Sequence, residues 1–173
     1  MIAVAPPSLT GRLLLATPGL VEPTFARTVI LILAHSDEGA VGIVLNRPGG
    51  LSVAEVVPRL APLAAPPDAV FIGGPVSPET ALCLGSTPDG WRVVDISDPI
   101  GPDIARIRLF AAYAGWSSGQ LEGEIAAGGW YVVDPMPGDP FSSAPDDLWR
   151  RILKRQGGRL ALASTSPDDP SMN

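Results

Sequence analysis

The chain has 173 residues, the length of one ordinary domain, and its 46% hydrophobic and 17% charged content supplies a core and excludes a disordered polymer. Eighteen acidic against 12 basic residues leave a net charge of −6, which repels phosphate backbones at long range and disfavours direct nucleic-acid binding. The lone cysteine, Cys83, excludes an internal disulfide and a cysteine-built zinc cage, and no apolar run approaches the roughly 18 residues of a membrane span, so the chain reads as cytoplasmic.

Leu13 to Ala16 reads as a short strand, and Arg27 to Ala34, rich in β-branched residues and apolar on both faces, as a strand covered on both sides. His35 to Gly39 supplies turn chemistry before a second apolar run, Ala40 to Leu45, which predicts a β-hairpin. Ser52 and Glu55 have capping-box spacing, so a short helix over Ser52 to Val57 should end at Pro58. Ala69 to Ile72 predicts a strand running into Gly73-Gly74-Pro75, with Thr80 to Leu84 as its partner and Trp91 to Val94 as another strand. Arg106 to Tyr113 alternates at first, which predicts a strand with a wetter face near its start. Ser117 and Gln120 repeat the capping-box spacing for a helix carrying Leu121 and Ile125 on one face and stopping at Gly128-Gly129. Trp130 to Val133 is the last strand. Pro145 to Gln156 is the best helix, with Asp146 and Asp147 in its first turn, Lys154 and Arg155 in its last, and Leu148, Ile152, Trp149 and Leu153 as its apolar face. Strands and helices do not alternate regularly, so the class is α+β.

The residues that invite a chemical reading also have structural ones. His35 stands beside Ser36 and Asp37, but neighbours in a turn point apart and do not make a triad. One histidine among carboxylates specifies no metal. Gly73-Gly74-Pro75 lacks the endings of a phosphate loop or a dinucleotide fold and reads as a tight bend. Cys83 lies in an apolar stretch and reads as an inert buried thiol. Gly115-Trp116-Ser117-Ser118-Gly119-Gln120-Leu121-Glu122 is the most distinctive segment; Ser117 and Gln120 as a helix cap account for it without a ligand. Arg150, Arg151, Lys154 and Arg155 share the last helix with two aspartates and read as a solvated face matched to the helix dipole.

Several segments resemble, in order, the YqgE/AlgH family of bacterial proteins: Gly11 to Ala16 with Pro18; Phe25, Arg27, Thr28 and Val29; His35 with Gly39-Ala40 and Gly42; Asn46-Arg47-Pro48; Gly73-Gly74-Pro75-Val76; Tyr113 to Trp116 with Gly119 to Glu122 and Glu124; Trp130; and Leu148-Trp149. The resemblance covers almost the whole chain. It implies a compact α+β fold with a branched, partly barrel-like sheet flanked by helices, and no catalytic machinery to carry over. The family name reflects a proposed link to transcriptional control of alginate synthesis, which does not require contact with DNA. The chain departs from the family pattern at Ala112, where glycine commonly precedes the tyrosine, and at Ser117-Ser118.

The expectation is one domain over 1–173, with 1–9 and 164–173 as flexible tails, that binds a protein partner or small ligand without catalysis, in a regulatory role. The candidate site gathers residues at strand ends: His35, Asn46, Arg47, Gly73, Gly74, Pro75, Gly115, Trp116, Gln120 and Glu122, with Arg47 as the anion contact if the turns converge. No cofactor and no metal is implied. The alternatives are a hydrolase-like enzyme using His35 as base and a transcriptional regulator acting indirectly.

Overall fold

The computed structural model of the chain describes residues 7–168. β1 (Leu13–Ala16), β2 (Val29–Ser36) and β3 (Gly39–Val44) form an antiparallel unit in register at Leu14 opposite Ile30 and Ile30 opposite Val44. Because side chains alternate along a strand, the continuous apolar runs split cleanly in two. Leu13, Leu15, Val29, Leu31 and Ile43 face one core, and Leu14, Ala16, Ile30, Ile32 and Val44 face another. The first core is closed by α3 (Pro145–Gln156), whose Leu148, Trp149, Ile152 and Leu153 are buried and whose Trp149 Nε1 donates to the Ala16 carbonyl at 2.9 Å. The second is closed by α2 (Gln120–Ala126) through Leu121, with Trp116 edge-on to Trp130. Leu13, Leu14 and Leu15 are all fully buried, so truncating any one to alanine costs about 2–5 kcal/mol.

β7 (Ile107–Ser117) is the branch point. Its first half pairs antiparallel with β5 (Val76–Thr87) and parallel with the two-residue β4 (Phe71–Ile72), and its second half pairs with β3. At the change of partner Ala112 takes φ +67°, so the left-handed backbone that glycine favours is kept here by an alanine. β6 (Gly90–Val94) pairs with β5, and β8 (Trp130–Val133) with β1. The path β6-β5-β7-β3-β2-β1-β8, with β4 branching from β7, gives a mixed, branched sheet that does not close. α1 (Val53–Val56), capped reciprocally by Ser52 and Glu55 as predicted, covers a third core around Ile107 and Leu109.

Several expectations change. The hairpin turn is only Asp37-Glu38, because Ser36 pairs with Gly39, so His35 is a strand residue and not a turn residue. β5 partners β6 and β7, not β4, because β4 is absorbed by β7. The start of β7 is dry: Arg108 is 2% exposed, and both of its terminal nitrogens donate to carbonyls. The residue capping α2 is Gly119 at φ +75°, while the Gln120 side chain turns back to accept from Ser117 N. α4 (Gly158–Ala163) follows α3 and was not foreseen. Of the segments expected as tails, Ser8 and Leu9 are bonded to His35, and 164–168 are gripped by Arg27 and Arg150; 1–6 and 169–173 lie outside the described residues.

Candidate functional site

The tip of the β2–β3 hairpin brings His35 against the start of α2. A cleft of about 470 Å3 is lined there by Ser8, His35, Ser36, Asp37, Ser118, Gly119 and Glu122. The His35 side chain is 7% exposed and both ring nitrogens are occupied. Nδ1 accepts from the Leu9 amide at 2.9 Å, which fixes the neutral tautomer with the proton on Nε2, and Nε2–H donates to Glu122 Oε1. The backbone of the same residue is held too, since His35 N–H donates to Thr10 Oγ1 and Ser8 Oγ–H to the His35 carbonyl. Ser118 Oγ–H ties α2 to the hairpin through the Asp37 carbonyl at 2.5 Å.

This arrangement has definite chemical limits. A general base needs a free lone pair within reach of a substrate proton, and that of His35 Nδ1 is taken by Leu9. The hydrogen bond from His35 holds the Glu122 carboxyl below its ordinary value, against an opposing effect of burial, which favours its role as an acceptor. The cleft therefore presents carboxylate and hydroxyl oxygens at an open mouth. Among the described residues no three His, Cys, Asp or Glu side chains come close enough to hold a metal, and no helix is long and apolar enough to cross a membrane.

His35 and Trp116 also share the lining of an adjoining cleft of about 410 Å3, so His35, Trp116 and Glu122 are brought together, with Gln120 on the same first turn of α2. The others are not. Asn46 and Arg47 follow the opposite end of the hairpin, about six residues and hence roughly 20 Å along the strands. There Asn46 accepts from Val29 N and donates to the Arg27 carbonyl, and Arg47 Nη2 donates to the carbonyls of Pro23 and Ala26 at 3.1 and 3.0 Å. Arg47 thus clasps the 23–27 loop, and with Asn46 it lines a cleft separate from that of His35, so it does not converge on His35 as expected. Gly73 and Gly74, leading to Pro75 just before β5, press on β7: a Cβ on Gly73 would lie 2.4 Å from the Ala112 carbonyl oxygen, and one on Gly74 2.2 Å from Tyr113 backbone. Gly115 lies within β7 opposite Val41, so it too is a strand residue.

A family model described as AlgH-like matches residues 13–161. The chain belongs to the AlgH-like family. Among its relatives, the UPF0301 protein SCO2948 of Streptomyces coelicolor is 46% identical over 185 residues, covering 96% of both chains, and a UPF0301 protein of Nocardia farcinica is 43% identical, covering 94% of this chain and 85% of the relative. The crystal structure of protein DIP2367 from Corynebacterium diphtheriae is similar with a TM-score of 0.86 at 31% identity over 95% of both chains. The solution structure of the AlgH protein from Pseudomonas aeruginosa is similar with a TM-score of 0.65 at 26% identity over 98% of this chain and 100% of that one.

In this AlgH-like chain the partners of His35 that were missed in the sequence are Ser8, Leu9 and Thr10, whereas Ser118 lies in the segment singled out there but its contact with Asp37 was not foreseen. Leu9 reaches His35 across 26 positions and Ser118 reaches Asp37 across 81, so no local pattern marks them. Arg108 was missed for a different reason: a cation inside the apolar run Ile107 to Tyr113 was a visible anomaly, and alternation explained it too easily.

Proposed function

We propose that this protein works by binding without turnover, and that the cleft around His35 and Glu122 receives a protein segment or small molecule presenting amine or other cationic donor groups. The observation that carries this reading is the double engagement of the imidazole, which leaves His35 as a pin between the amino-terminal arm and α2 and not as a base. The rim then offers Glu122, Asp37 and serine hydroxyls, which complement donors. Its volume lies in the range of small-ligand sites, and its open mouth also admits an extended peptide. The regulatory role implied by the family resemblance is exercised in this reading through the bound partner, in the cytoplasm, where a buried unpaired Cys83 is at home. Direct DNA contact is disfavoured further because Arg150 and Arg155 are spent on Ser164, Ser166 and Asp139.

The test is a thermal-shift screen of the purified chain against primary amines and Lys-containing peptides, repeated on Glu122→Gln and Asp37→Asn. Stabilisation of the wild type that both variants lose is the expected result. Conversion of any compound by the pure protein, abolished in His35→Ala, overturns the reading in favour of the hydrolase-like alternative.

A further inference from the structure

A second cleft, of about 550 Å3, opens between the residues preceding β7, the Met136–Ser143 loop and α3, and it shares no lining residue with the His35 cleft. Arg106, Arg151 and Arg155 line it. A fourth guanidinium lies directly beneath: Arg108 donates from Nη1 to the Ser142 carbonyl at 2.8 Å and from Nη2 to the Pro66 carbonyl at 2.6 Å, and both acceptors are wall residues of the cleft.

The carboxylates nearby do not balance these cations. Asp139 is turned inward, 7% exposed at its side chain, with Oδ1 taken by Arg155 Nη1 at 2.7 Å and Oδ2 by Arg155 Nη2 and by Met136 N–H. Asp147 pairs with Arg151 Nε at 3.3 Å, and Arg151 Nη2 donates to Ser142 Oγ. Arg106 has no ion pair and no side-chain hydrogen bond among the described residues; its guanidinium lies over the Phe141 ring, 5.3 Å from the centroid. Arg108 is 2% exposed and, among the described residues, has no carboxylate partner and no hydrogen-bond acceptor for its Nε. Burial, and then the neighbouring charge of Arg106, push its guanidinium down to about 10. Among the described residues, three guanidiniums lining the cleft and a fourth buried behind its wall are thus paired with two committed carboxylates, an excess of two positive charges in a chain whose net charge is −6.

We propose that this cleft binds a small phosphorylated metabolite, its phosphoryl oxygens taken by Arg106 and Arg151 and its apolar body lying against Pro66, Met136 and Leu148. A phosphomonoester carries about −1.5 to −2 charges at neutral pH, which matches the local excess. Its three oxygens suit planar guanidinium donors, which also stack against flat groups. The volume is that of a small-molecule site, and the net negative charge of the chain disfavours a long polyanion in its place.

Isothermal titration with three probes tests this: inorganic phosphate, phenyl phosphate and phenol. Phenyl phosphate should bind more tightly than inorganic phosphate, phenol should give no heat, and Arg106→Gln and Arg151→Gln should each weaken phenyl phosphate about tenfold, as expected for one charge-assisted hydrogen bond. Among the described residues Arg106 makes no side-chain hydrogen bond and only stacks on Phe141, so its variant should keep the fold, which an unchanged melting temperature checks, and it decides the question even if the Arg151 variant does not fold. Absence of phenyl phosphate binding at millimolar concentration, affinity unchanged in Arg106→Gln, or benzoate binding as tightly as phenyl phosphate would each overturn the proposal.

Discussion

Replacing His35 separates a structural pin from a catalytic base. His35→Ala removes the acceptor for the Leu9 amide, which is part-buried, and the donor to Glu122, whose side chain is 41% exposed. The first loss costs about 1 kcal/mol, the usual net worth of an intramolecular hydrogen bond. The second, a hydrogen bond from the neutral imidazole to a carboxylate that is 41% exposed, contributes about 0.5–1 kcal/mol, because solvent screens it at that exposure. The sum, about 1.5–2 kcal/mol, displaces the urea midpoint by on the order of 1 M. Two conservative variants then divide the sum. Asparagine places an oxygen near the position of Nδ1 and retains the Leu9 bond, while glutamine places an amide near Nε2 and retains the contact with Glu122. His35→Asn should therefore be the more stable of the two. Equilibrium urea denaturation followed by tryptophan fluorescence measures all three. An unchanged midpoint in His35→Ala, or His35→Asn as damaged as His35→Ala, would refute the pin.

Four further outcomes are expected. Gly39→Ala should destabilise by about 2–4 kcal/mol in urea, because the new Cβ would lie 2.2 Å from the Trp116 carbonyl oxygen at φ +135°, where only backbone can give way. Arg108→Met should cost about 2–4 kcal/mol, since the buried carbonyls of Ala65 and Pro140 lose their donor at about 1–3 kcal/mol each while the apolar replacement offsets part; Arg108→Lys, with three donors and no planar fork, should recover only some of it. Cys83, 1% exposed and with its thiol pushed up to about 11 by burial, should resist a thiol reagent at pH 8 in the folded protein and react at once in urea, as a burst of labelling would reveal. The carboxyls of Glu55 and Glu122 sit below the ordinary 4.5, held there by hydrogen bonds from Ser52 and from His35. A depressed carboxyl stabilises the fold above its unfolded value and loses that contribution as pH falls through its folded value, so calorimetry should show the melting temperature falling below about pH 4.5, not rising.

The elements legible in the sequence were those whose information is local. β1 and α3 fall on the expected residues, and α1 is capped by the expected pair, because an apolar run, a dipole-matched helix and a capping box each lie within a dozen positions. Pairing was less legible. β4 reads as an ordinary strand, yet only two of its residues pair, and they pair in parallel with β7, which no turn connecting neighbours encodes. The same holds for the site. His35 and Glu122 were both named from the sequence, but the bond between them spans 87 positions, and the amide that fixes the imidazole comes from a segment expected to be a free tail. Arg47 differs in the other direction: a cation at a strand end is visible in the sequence, but the loop carbonyls that it clasps and its distance from His35 are not.

β7 relates the two clefts to each other. Arg106 directly precedes its first residue, and Ser117, at its last, leads straight into the Ser118–Glu122 turn of the His35 cleft. Eleven residues of extended chain span on the order of 35 Å, somewhat less where the strand bends at Ala112. That distance exceeds several Debye lengths at physiological salt, so the excess positive charge at one end and the carboxylate rim at the other do not neutralise each other. Each must be answered by its own ligand or by solvent. The strand that joins them is paired on both sides of the bend at Ala112 and buried at its start, so both sites are carried on one element, and at this separation the effects of substitutions at its two ends should add.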